Sequence, residues 1–246
     1  MSSATRPRKI AWQSQSADGQ VLLSMPWEIF VLCVAVLSIV NLVLAIVLRE
    51  PDLEQVVIII DLILIAIFAI DLLRRLRVAD DNRAYLLHGY GWLDLISIFP
   101  ALRIARILRI VKVTKILQRI GGPEAAVRVF FKDKAAGGLL MVVFIAIMVL
   151  EFGSLAVLRV EVNASGANIT SAQDAVWYVI VTMSTVGYGD FYPVTGLGHL
   201  IGSLIIVVGV GVFGTLTGFL ANAFLSPSAA SDAPASADTD EKPASA

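Results

Sequence analysis

Charge, cysteine and histidine are the scarce materials of this chain. Only 16% of its 246 residues are Asp, Glu, Lys or Arg, and they nearly cancel to a net charge of −1. No broad basic field remains to attract a polyanion, so no nucleic-acid partner is expected. The single cysteine, Cys33, excludes an intrachain disulfide and any thiolate metal cluster. The two histidines, His88 and His199, are too isolated to build a metal site. No catalytic constellation stands out, so neither an enzyme nor a bound cofactor is expected. What the chain does have is apolar mass: 57% hydrophobic residues and a mean hydropathy of +0.82. That balance belongs to a polytopic membrane protein rather than a soluble domain.

A helix needs about 20 apolar residues to cross a bilayer. Long apolar runs occupy residues 25–48, 56–73, 135–158 and 196–225. Shorter or cation-studded runs occupy 85–99 and 101–120, and a half-length one covers 172–184. Placing the N-terminus inside puts Arg6, Arg8, Lys9, Arg74, Arg75, Arg77, Arg83, Arg119, Arg128, Lys132 and Lys134 in the cytoplasm. Only Arg49 and Arg159 then fall outside, as the positive-inside tendency demands. The basic N-terminal residues are separated from the first run by a polar stretch, so that run is expected to be retained rather than cleaved. Asn163-Ala164-Ser165 and Asn168-Ile169-Thr170 are glycosylation sequons on the external side. Residues 226–246 turn to Ser, Ala, Pro and Asp and lack the apolar content to fold, which predicts a disordered cytoplasmic tail.

Between the last two long runs lies the most specific stretch, Thr182-Met183-Ser184-Thr185-Val186-Gly187-Tyr188-Gly189-Asp190. Thr185 to Gly189 offer a row of neutral oxygens, carbonyls plus the threonine hydroxyl. If successive peptide planes alternate in handedness, these oxygens face one side and replace the water around a monovalent cation. Gly187 and Gly189 supply the residues that accept positive φ. Ser171-Ala172-Gln173-Asp174 is a capping-box pattern that starts a short helix just before this run. That helix would end at the oxygens, with the negative end of its dipole toward the cation.

TMSTVGYGD followed by Phe191-Tyr192-Pro193 resembles the signature of the potassium-channel family. The resemblance implies a homotetramer with K+ held at Thr185, Val186, Gly187 and Tyr188, K+ being the permeant ion rather than a cofactor. It further implies that Trp177 and Tyr178 act as an aromatic pair whose polar edges tether Tyr188. Val181 stands where some two-helix bacterial relatives carry a buried glutamate, so Asp190 is left either to bond Trp177 or to stay solvated. Aligning Gly218 to Asn222 with the family's inner-helix end puts a bending hinge at Gly209, with Gly211 as the alternative. Close helix packing at these glycines is the competing reading.

Arg103, Arg106, Arg109, Lys112 and Lys115 recur at every third position with apolar residues between. On an α-helix such charges form a slowly turning stripe, which straightens if the helix tightens to 3₁₀. Cations in mid-membrane need partners or water. The stripe resembles the charged fourth helix of voltage sensors. Phe68, Asp71 and Asp94 match that family's charge-transfer centre, an aromatic plug over two carboxylates, and Asp61 matches its outer counter-charge. A static set of intramembrane ion pairs is the competing reading. Asn41 reads as a hydrogen-bonding group inside the bundle, and Glu28 as lying at its cytoplasmic end. Only nine positions separate Asp94 from Arg103, which predicts a small paddle.

The expected fold is an all-α membrane protein: a four-helix voltage sensor over 25–120, a linker over 121–134 and a two-helix pore domain with re-entrant helix and filter over 135–225. Residues 1–24 are expected as a cytoplasmic segment, and no cytoplasmic ligand-binding domain is expected in this chain. The expected activity is voltage-gated, passive K+ conduction in the cell membrane, among membrane lipids. A K+ channel gated by ligand or lipid, with a vestigial sensor, is the alternative.

Overall fold

The computed structural model describes residues 24–48, 50–78, 114 and 134–225. Its helices are α1 Met25–Val47, α2 Pro51–Val78, α3 Lys134–Glu161, α4 Ala172–Met183 and α5 Gly196–Leu225. Among the described residues there are no strands, and all of these helices except α4 are long and apolar enough to cross a membrane. The third and fourth spans expected over 85–120 lie outside the described residues. So do the linker as far as residue 133, nearly all of the N-terminal segment and the tail.

Each helix start has a local cause. At α1, Ser24 O accepts from the amides of Trp27 (3.0 Å) and Glu28 (3.2 Å), and Pro26 sits where no amide is needed. Helix α2 starts at Pro51, with Asp52 and Glu54 in its first turn and Arg75 and Arg77 in its last. Both charge placements favour the helix dipole, which is why the helix outruns the purely apolar run 56–73 at each end.

Helix α3 is the hub, packing against α1, α2, α4 and α5. One side of the core is built from Val31, Val34, Ile60, Leu64 and Phe68 of α1 and α2. The other contains Val157 and Leu158 of α3 with Ala172, Ala175 and Val179 of α4. Outside this core, α5 leaves long apolar side chains uncovered along its length, among them Leu200, Leu204, Val207, Val210 and Phe213. Their exposure is the expected state of a helix facing lipid or further copies of the chain.

Candidate functional site

The site begins at the N-terminus of α4. Ser171 Oγ accepts from the Asp174 amide at 3.2 Å, while Asp174 Oδ2 accepts from the Ser171 amide at 2.9 Å and the Thr170 amide at 3.1 Å. This closed box fixes where the short helix starts. The helix ends at Met183, and the chain then peels away under tension from its own last turn. Amides of Thr185, Val186 and Gly187 donate to Thr182 O and, twice, to Val181 O, at 3.1, 3.1 and 3.3 Å.

From there φ alternates. Thr185, Gly187 and Gly189 have φ of 61°, 60° and 79°, and the intervening Val186 and Tyr188 do not enter that region. For the two glycines this conformation is free of side-chain clash. For Thr185, a β-branched residue, it costs on the order of 1–3 kcal/mol and persists only where surroundings impose it. The two amides held by Val181 O, immediately after it, are such an imposition.

Around this run the structure brings Trp177, Tyr188 and Asp190 together. Trp177 Nε1 donates to Asp190 Oδ2 at 2.8 Å, and the Trp177 and Tyr188 rings stack at 5.9 Å with 5° between planes. Asp190 is thus bonded to Trp177, one of the two options open from sequence. Tyr178 goes elsewhere: it is buried, with its hydroxyl near Gly202 of α5 and Thr182. Within one chain it does not meet Tyr188.

Two residues that sequence reasoning missed brace the outer mouth. Asn168, singled out only as a sequon, donates from Nδ2 to Asp190 O at 3.1 Å and accepts the Tyr192 amide at 3.2 Å. Glu161, fully buried at the end of α3, accepts three bonds. Its Oε2 takes the Val194 amide at 2.8 Å, and its Oε1 takes the Thr195 amide at 3.0 Å and Thr195 Oγ1 at 2.6 Å. The carboxylate therefore caps the start of α5, where the helix dipole is positive. Gly198 is required beneath it, since a β-carbon there would collide with Glu161 Oε1. The only sequence signal for Glu161 is an acid closing an apolar span.

Helix α5 runs unbroken through the expected hinge. A β-carbon at Gly209 would come within 2.7 Å of Met183 Cα and 2.9 Å of Met183 O, so this glycine admits the end of α4 against α5. Gly211 faces open space.

In the sensor half, Asp61, Phe68 and Asp71 are buried on α2. Asp61 Oδ1 lies 3.5 Å from Asn41 Nδ2 of α1. Asp71 Oδ1 accepts from Trp27 Nε1 at 2.8 Å and from Arg75 Nε at 3.2 Å. Arg75 Nη2 then spans to both oxygens of Glu28, at 2.9 and 2.8 Å. Arg75 is 4% exposed, a buried cation that ties α1 to α2 near the C-terminal end of α2. Arg74 lies over the Trp27 ring at 4.2 Å, a cation–π contact at the same end. Asp94, Arg103, Arg106, Arg109, Lys112 and Lys115 lie outside the described residues. At the opposite end, Arg159 of α3 pairs with Glu50 beside the start of α2.

The chain is 37% identical over 73 residues to a voltage-gated potassium channel of the archaeon Aeropyrum pernix, covering 30% of this chain and 25% of that one. It is 44% identical over 71 residues to the human potassium voltage-gated channel subfamily A member 5, covering 29% of this chain and 11% of that one. Over 127 residues it is 30% identical to a human voltage-gated potassium channel regulatory subunit, covering 50% and 29%. The chain spans little more than a third, or less, of the length of the curated relatives it matches. A family model described as ion transport protein matches residues 24–229. The chain belongs to the ion transport protein family, and its similarities within that family run to voltage-gated potassium channels, a prokaryotic one included.

Proposed function

We propose that the chain forms a homotetrameric, voltage-gated potassium channel that conducts K+ passively across the cell membrane, with both termini cytoplasmic. The observation that carries this reading is the alternation of φ at Thr185, Gly187 and Gly189 directly after a short capped helix. That alternation is what a row of inward-turned carbonyls needs. Val186 and Tyr188 are 55% and 68% exposed in the single chain. Backbone oxygens at membrane depth are tolerated only when protein or a water-filled path surrounds them. Further copies around an axis supply that enclosure, and the uncovered face of α5 gives them a surface to meet.

In this reading four copies of Thr185 to Gly189 hold the ion, while Trp177 and Asp190 hold the filter at fixed width. Tyr178, turned toward α5, supports the filter from behind. The stripe Arg103, Arg106, Arg109, Lys112 and Lys115 moves past Phe68 between Asp61 above and Asp71 and Asp94 below. About three charges per subunit crossing the field would give four sensors about 28 kcal/mol per 100 mV, ample to bias a pore. Gly209 and Gly211 remain the proposed bending points, Gly209 while also serving the contact with Met183.

Purified channel in planar bilayers, stepped across voltage, tests the gating half. Open probability is expected to rise steeply with potential, and neutralising Arg106 or Arg109 is expected to flatten or displace the curve. An open probability indifferent to voltage would instead favour gating by a ligand or lipid.

A further inference from the structure

Among the described residues, Glu151 stands in surroundings that neither the filter nor the sensor explains. It sits mid-way along α3 and is fully buried. Neither of its carboxylate oxygens has a hydrogen-bond partner. Its polar neighbours are Asn41 of α1 and Asp61 of α2. Asn41 Oδ1 is likewise buried without a donor. Asn41 Nδ2 faces Asp61 Oδ1 at 3.5 Å, and Glu151 and Asn41 between them leave three buried acceptor atoms without a donor.

Such a surplus is not how buried polar groups are normally arranged. Three remedies exist: water, a metal cation or a proton. The described residues contain no group of His, Cys, Asp and Glu able to hold a metal ion, and a hard cation needs more oxygens than these side chains supply. Water fits poorly in a close-packed contact between helices whose buried residues are mainly apolar. A proton is the smallest addition that works. It turns one Glu151 oxygen into a donor and gives Asn41 Oδ1 the partner it lacks.

We propose that Glu151 is a proton-binding site inside the membrane, held between the sensor helices α1 and α2 and the pore helix α3, with its O–H directed to Asn41 Oδ1. Asp61 of α2 is the charged group among the described residues that acts on it. Removing the proton would leave a buried negative charge without a donor at the sensor–pore contact. This makes the contact, and through it the gating of the channel, responsive to pH. The regulatory half rests on the voltage-gated reading; the proton site does not.

Infrared spectra of the full-length protein in lipid test the site without any current. At neutral pH the wild type is expected to show the carbonyl band of a protonated carboxylic acid, lost in Glu151→Gln. In Asn41→Leu that band is expected to move, because its hydrogen-bond acceptor is gone. A wild-type minus Glu151→Gln difference carrying only carboxylate bands would overturn the proposal. Should that variant fail to fold, a hydrophobic carbodiimide, which reacts with protonated carboxyls, replaces it as the probe of the wild type. Label mapped by mass spectrometry to Glu151 supports the site, and its absence there, with other membrane carboxyls labelled, overturns it. In bilayers, raising pH is expected to shift the wild-type conductance–voltage midpoint, and this shift is expected to be lost in Glu151→Gln. Equal shifts in both would remove the regulatory half and leave the potassium-channel reading untouched.

Discussion

Replacing Glu161 by Gln changes almost no volume and removes one charge at a fully buried position. The carboxylate has three donors to satisfy: the amides of Val194 and Thr195 and the Thr195 hydroxyl. Glutamine has one carbonyl oxygen. If that oxygen takes the Oε1 place it keeps both Thr195 bonds, and the new NH₂ then faces the Val194 amide donor to donor. An orphaned buried donor costs about 1–3 kcal/mol, and the two remaining bonds weaken as they lose charge assistance. The sum is about 2–4 kcal/mol per chain, enough to loosen the start of α5 and the outer mouth it supports. Thr195→Val leaves both amide bonds to Glu161 but removes the hydroxyl that donates to it and that also accepts the Gly198 amide at 2.9 Å, so its expected cost is about 1–3 kcal/mol. Thermal unfolding of the purified protein in lipid, alongside sustained K+ current, measures both. Glu161→Gln melting with the wild type, with current equally sustained, would falsify the claim that this carboxylate holds the outer mouth together.

Trp177→Phe keeps the stack on Tyr188 and deletes the bond to Asp190. Because the pair is exposed in the chain, a loss of about 1 kcal/mol is expected. It should be read as faster decline of current during a held step, and unaltered decline would count against the filter role. Gly209→Ala forces a β-carbon against Met183 and is expected to cost about 1–3 kcal/mol by overpacking. Normal yield and stability of that variant would show the contact to be slack. Arg75→Leu removes the buried cation that bridges Asp71 and Glu28, at an expected cost of about 3–5 kcal/mol. Differential scanning of stability checks it, and a variant as stable as the wild type would refute the internal-cation reading.

Which features were legible in the sequence follows from how local they are. The Ser171 to Asp174 box and the Thr185 to Gly189 run are continuous, so their residue types carry their geometry. The Trp177 to Asp190 bond spans one short helix and was legible as one of two options. Glu161 was not legible, because its partners lie 33 and 34 positions away. Nor was Asn168, whose sequon drew attention to a modification rather than to the two backbone groups it holds. For Arg75, loop-charge counting gives a side of the membrane and does not say whether a cation near a helix end reaches water. Here Glu28, on the neighbouring helix, keeps it inside. Helix α2 was drawn too short because apolar runs undercount polar end turns such as Asp52 to Glu54. The burial of Tyr178 against α5 is set by packing that no local pattern encodes.

The most direct test of the central claim is the reversal potential of the purified protein in opposed K+ and Na+ gradients. A filter of main-chain oxygens at Thr185 to Gly189 predicts reversal close to the K+ equilibrium potential, collapsing toward zero in Tyr188→Asp. Reversal near zero in the wild type, or at the same potential in both proteins, would contradict it.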